Sequence, residues 1–169
     1  YLRRAAAPEG VAGNRKALAY KSLPFNVPVS GLVTLYLRFN TEAFPNNHNF
    51  GLSNLDGAGI EAQGYEAFEP IIQVTDRYAN NGILRIRNGD VYENIINPNT
   101  GLSATPLEEN TWYEIWVVVN NGGRASSGQT YDVYLRGGAE FPAQTKVFDH
   151  AFFRVNRESP LLNFLAIAN

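Results

Sequence analysis

Asn-Gly occurs three times in this chain, at 81–82, 88–89 and 121–122, each time next to a run rich in β-branched and aromatic residues. Both residues of the dipeptide accept positive φ, as the primed turns of antiparallel hairpins require. Strand-like runs recur between such punctuation marks at 32–39 (LVTLYLRF), 71–75 (IIQVT), 83–87 (ILRIR), 91–96, 112–119 (WYEIWVVV), 131–136 (YDVYLR), 146–155 and 161–168. No stretch combines sustained helical periodicity with caps, so the expected class is all-β, an antiparallel β-sandwich.

Composition narrows what such a sandwich does. A chain of 169 residues fits one domain over 1–169, and at that size about 70% of the unfolded surface can be buried. No linker or internal repeat divides it, and 1–13 (YLRRAAAPEGVAG), with its Pro and two Gly, reads as a loosely held lead-in. Fourteen Lys and Arg against 16 Asp and Glu leave a net charge of −2, which argues against a nucleic-acid or anionic-membrane partner held by a global field. No apolar run approaches the roughly 18 residues of a membrane span. With no cysteine, disulfide scaffolds, thiol nucleophiles and Cys-based metal centres are excluded. With no methionine either, the chain is expected to be processed or excised from a larger one, any secretory signal lying upstream.

Alternation along each strand separates an inward from an outward set. In 32–40, Val33, Leu35, Leu37 and Phe39 form the apolar set and Tyr36 and Arg38 lie opposite. The same division places Gln73 and Arg77 opposite Ile72 and Val74, Arg85 and Arg87 opposite Leu84 and Ile86, and Asp132, Tyr134 and Arg136 opposite Tyr131, Val133 and Leu135. Glu114 and Trp116 share a face against Tyr113, Ile115, Val117 and Val119; a one-residue register slip would instead make Trp116 a core residue. If these strands share one sheet, its solvent face holds Tyr36, Arg38, Gln73, Arg85, Arg87, Glu114, Trp116, Tyr134 and Arg136. Aromatic rings stack on the apolar faces of pyranoses, while Arg, Gln and Glu hydrogen-bond hydroxyls. Eleven of the 14 basic residues are Arg, whose planar fork also reads carboxylates and sulfates. The competing reading makes these residues solvated cross-strand partners and nothing more.

The segments FGLSNLD (50–56), LRIRNG (84–89), NTWYEIWVVVNN (110–121) and YDVYLRGG (131–138) together resemble the concanavalin A-like, laminin-G-type jelly-roll domains attached to bacterial secreted polysaccharide-acting proteins. The resemblance runs from about Ala17 to Ala168 and marks a fold more firmly than a function. It implies a jelly roll, an extracellular location and a polysaccharide ligand. It also implies a closing strand with an acidic pair before an aliphatic and an aromatic residue; this chain stops at Asn169 without one, so an uncovered sheet edge is expected.

Catalytic versions of that fold need more than is found here. Retaining glucanases set two or three carboxylates at alternate positions of one strand, the acid and nucleophile roughly 5 Å apart. No Glu-x-Asp-x-Glu run exists; Glu61, Glu66 and Glu69, and Glu108 with Glu109, read as solvated loop charges. A lyase would require a Tyr or His base with Arg and Gln to neutralise a uronate, roles for which His48, Tyr134, Arg85 and Gln73 are the available residues. GxSxG, GxxxxGK[ST] and GxGxxG are absent, and Ser126-Ser127-Gly128 is a turn. For a cofactor, calcium alone is worth weighing, with Asp56, Glu61 and Asp76 as weak oxygen ligands. The expected function is therefore non-catalytic, lectin-like binding of an extracellular polysaccharide, acidic or sulfated. The alternatives are an assembly domain completed by a partner strand and, behind it, a lyase or glycoside hydrolase on the same fold.

Overall fold

The computed structural model describes residues 17–43, 47–75 and 82–168. Among them, strands β1 (Ala17–Val27), β10 (Leu161–Ala168), β3 (His48–Ser53), β4 (Ile71–Thr75), β5 (Ile83–Asn88) and β6 (Val91–Asn94) form a six-stranded sheet in that spatial order. A four-stranded sheet runs β2 (Leu32–Phe39), β7 (Tyr113–Asn120), β8 (Thr130–Gly137) and β9 (Phe141–Phe152). Every pairing is antiparallel. The fold is an all-β sandwich, as the sequence predicts.

One apolar cluster fills the space between the sheets. Phe50, Leu52, Ile72, Val74, Leu84 and Ile86 come from the larger sheet and Ile115, Val117, Val119, Val133 and Leu135 from the smaller. These are the inward sets that strand alternation selects, so the register of each strand is fixed by which side chains the core accepts. Tyr131 ties the layers together. Its hydroxyl donates to Ile71 O (2.8 Å) and accepts from Arg87 N (3.1 Å), and it also meets Arg87 O, so the four-stranded sheet is pinned to β4 and β5 of the other. Burial pushes that phenol far above its ordinary range.

The turns only partly follow the Asn-Gly rule. The β5–β6 hairpin is tight, with Asn88 paired to Val91, so Gly89 and Asp90 are the central residues and Gly89 takes φ +57°. Gly82 also takes positive φ, at +69°, while Asn81 lies outside the described residues. Asn121-Gly122 makes no two-residue turn but opens the longer 121–129 loop that joins β7 to β8. Asn121 is fully buried and its Nδ2 donates to the carbonyls of Val27, Pro28 and Ser159, knotting three loops at one end of the sandwich.

Two strands and a helix escape the sequence reading. β1 is an edge strand with most residues exposed, so its alternation is weak. β3 keeps Gly51 because a Cβ there would lie 2.0 Å from Pro70 O. The helix α1 (Gly57–Gln63) is too short for a periodic signal; it starts where Asp56 Oδ1 accepts from Gly59 N (2.8 Å) and stops at Gly64, φ +57°. Ile60 of this helix, with Phe68, packs on Ile71, Leu165 and Ile167, forming a second apolar cluster on the outer side of the six-stranded sheet. That side of the sheet is therefore half covered, while the outer side of the four-stranded sheet is open. The lead-in at 1–13 lies outside the described residues.

Candidate functional site

The nine residues expected on one solvent face divide between two. Tyr36, Arg38, Glu114, Trp116, Tyr134 and Arg136 stand on the outer face of the four-stranded sheet, whereas Gln73, Arg85 and Arg87 stand on the outer face of the six-stranded sheet, across the core. The condition that these strands share a sheet fails, because β4 and β5 pair with β3 and β6 rather than with β2 or β8.

On the smaller sheet the six residues form two registered rows. Tyr36 pairs with Trp116, Trp116 with Tyr134, and Tyr134 with Lys146; beside them Arg38 pairs with Glu114 and Glu114 with Arg136. Neighbouring strands lie about 4.8 Å apart, so the three aromatic residues are cross-strand neighbours in one row. The Tyr36 and Trp116 ring centroids are 5.4 Å apart at 42°. Trp116 keeps the outward register, since Ile115, Val117 and Val119 on the same strand are buried.

Glu114 organises the second row. Its carboxylate accepts from the Tyr36 hydroxyl (2.8 Å) and Arg136 Nε (2.7 Å), with Arg38 Nε at 4.0 Å. That hydrogen bond raises the Tyr36 phenol above its ordinary range. The Glu114 side chain is only 18% exposed while the Arg38 and Arg136 side chains are about half exposed, so the acid sets the base of the row and the arginines project from it. Lys146 sits 5.4 Å from the Tyr134 ring and is held by Asp132 (3.0 Å) and Asp149 (2.7 Å). Three cations thus meet three carboxylates, and the face is charge-balanced. Trp112, 50% exposed, extends the platform: Arg38 Cζ lies 4.9 Å over its ring. The sequence reading left it out, although 112, 114 and 116 share one parity and one further step of alternation reaches it.

The other trio occupies a different environment. Gln73 is 6% exposed, not solvent-facing, and donates to Asn49 Oδ1 (3.2 Å). Arg85 bonds Asn94 Oδ1 and Tyr92 O, each at 3.0 Å, and Arg87 Nε bonds Gly89 O at 2.9 Å.

The remaining candidates have structural partners. His48 stacks on Phe50, 4.4 Å between centroids, on the opposite side of β3 from Asn49 and away from Arg85 and Gln73; Tyr134 lies on the other sheet, so the four lyase candidates do not meet. Glu69 is not a solvated loop charge: it is 1% exposed and its Oε1 accepts from Arg157 Nη1 (3.1 Å), with Oε2 unpaired. Glu66 pairs with Arg154. Of the weak calcium ligands, Asp56 caps α1, Glu61 accepts from the Tyr20 hydroxyl (3.1 Å) and Asp76 lies outside the described residues. Among the described residues no three His, Cys, Asp or Glu side chains gather as a metal site would require, and no helix is long and apolar enough to cross a membrane.

A comparison with protein-family models finds no match, and a comparison with curated proteins finds none either. The smaller sheet offers aromatic surface beside fixed donors and acceptors, which suits a sugar ring.

Proposed function

We propose that the outer face of the four-stranded sheet is a non-catalytic, lectin-like platform for a polysaccharide, in a secreted protein of concanavalin A-like, laminin-G type. The row Tyr36–Trp116–Tyr134 carries this reading. Three adjacent rings supply stacking surface, and Arg38, Glu114 and Arg136 supply hydroxyl partners already oriented by their own contacts. Because the charges on this face cancel, the platform reads neutral sugar faces and hydroxyls. Affinity electrophoresis over a panel of neutral polysaccharides tests it. Retention by at least one polymer is expected, falling at least tenfold in Trp116→Ala and in Arg136→Ala. No retention by any polymer, or retention unchanged in both variants, refutes it.

A specific observation favours a second reading, assembly through a partner strand. β2 is an edge of the described four-stranded sheet. Its inward residues Val33, Leu35, Leu37 and Phe39 are only half buried, and a groove of about 250 Å³ opens between Val33 and Leu35 and the β1 residues Leu23, Phe25 and Val27. An added strand with apolar residues at alternate positions would complete both the hydrogen-bond ladder and the core. Concentration-dependent self-association, abolished by Leu35→Lys, is the signature of that reading.

A further inference from the structure

On the outer face of the six-stranded sheet, three arginines surround one phenol. Arg87 Cζ lies 4.9 Å and Arg85 Cζ 5.4 Å from the Tyr92 ring centroid, and the Arg154 guanidinium meets the Tyr92 hydroxyl. That hydroxyl donates to Asn49 Oδ1 (3.2 Å), which also accepts from Gln73, while Asn49 Nδ2 donates to the Tyr65 hydroxyl (3.2 Å). Asn49 and Gln73 form a buried amide floor, and Arg85, Arg87, Tyr92 and Tyr65 are its half-buried rim.

Glu66 answers Arg154, and among the described residues no carboxylate pairs with Arg87. Arg87 spends only its Nε, on Gly89 O, which fixes the plane of the guanidinium and leaves both terminal nitrogens without a described protein acceptor. Arg154 Nε is buried without a partner. A cluster of this kind is stabilised by an anion, and a planar fork held in place favours bidentate oxyanions.

We infer that this cluster binds the oxyanion substituent of an acidic saccharide, a carboxylate or a sulfate ester, with Arg87 as the bidentate donor and Arg85 and Tyr92 framing it. The Tyr92 phenol is raised above its ordinary range, chiefly by burial, so it stays protonated near neutral pH, its proton given to Asn49 Oδ1, and it is not the base an elimination would need. The site is on the opposite side of the sandwich from the aromatic platform and does not depend on it.

Isothermal titration with three trisaccharides tests the inference: trigalacturonate, its carboxyl-reduced neutral counterpart, and a sulfated galactose trimer. At least one charged trimer is expected to bind while the neutral one does not, and the tighter of the two names the substituent. Arg87→Ala should weaken binding at least tenfold. Arg87→Lys, which keeps the charge and stem but loses the fork, should lose nearly as much and preserves the test if the alanine variant melts early. Lys21→Gln, which removes an exposed charge on β1, should leave affinity unchanged. The inference is overturned if neither charged trimer binds, if the neutral trimer binds equally, if both Arg87 variants bind as the parent does, or if Lys21→Gln weakens binding as much as Arg87→Ala.

Discussion

Ile115 and Trp116 are neighbours on β7 that face opposite ways, and alanine at each should give opposite phenotypes. Ile115 is fully buried between the sheets, so Ile115→Ala removes core methyl groups and leaves a void. That costs about 2–5 kcal/mol, and a chain of this size loses roughly 2–4 °C in Tm per kcal/mol, which gives a fall of about 4–20 °C. Trp116 rests on the outer surface, where its ring meets the Tyr36 ring, 5.4 Å between centroids. Losing that contact and the partial burial costs about 1–2 kcal/mol, so Tm should drop by roughly 2–8 °C. Binding should reverse the order. Trp116→Ala loses at least tenfold in polysaccharide affinity, about 1.4 kcal/mol, while Ile115→Ala, measured well below its Tm, keeps near-parental affinity. Thermal unfolding followed by far-ultraviolet circular dichroism, paired with affinity electrophoresis, reads both. If Trp116→Ala melts lower than Ile115→Ala, the register of β7 is wrong and with it the aromatic row.

Two further outcomes follow from the buried polar groups. Tyr131→Phe strands Arg87 N and the carbonyls of Ile71 and Arg87 inside the sandwich and should cost about 2–4 kcal/mol in urea unfolding; a loss below about 0.5 kcal/mol would deny its role as a strut. Burial pushes the Glu69 carboxyl up from 4.5 to about 7, against the opposing pull of Arg157. The native state therefore holds that proton more tightly than the unfolded chain, so this group's contribution is full below about pH 4.5 and is lost as pH rises towards about 7. The parent-minus-variant stability difference for Glu69→Gln should thus shift against the parent between pH 5 and pH 8, by at most about 3 kcal/mol, and a pH-independent difference would refute it.

The fold was legible where one face of a strand is core and the other solvent. β2, β4 and β10 match their sequence-read bounds, and the inward residues of β7 and β8 alternate without interruption. Legibility failed where that contrast disappears. β3 is buried on both sides beneath α1 and Phe68, so its alternation carries Asn49 and Ser53 rather than charged residues. Asn121 looks like a turn former and is instead a buried knot of hydrogen bonds, a distinction that depends on loops remote in sequence. The site divided for the same reason. Alternation assigns a side chain to one of two faces of its own strand, but which strands share a sheet is decided by long-range pairing, so Arg85 and Arg136 look alike in one dimension and stand on opposite sides of the molecule. Tyr92, Asn49 and Arg154 join Arg85 only through that pairing and through the loop after β9.

The chain contains two tryptophans, Trp112 and Trp116, and both lie on the proposed platform, so intrinsic fluorescence watches that face without any substitution. A polysaccharide retained in the affinity screen should shift the emission to the blue or quench it, saturating at the same concentration as retention does and persisting at high salt, because stacking on a charge-balanced face is not a screened attraction. Saturable retention with an unchanged emission spectrum would place the polymer elsewhere on the sandwich and contradict the account.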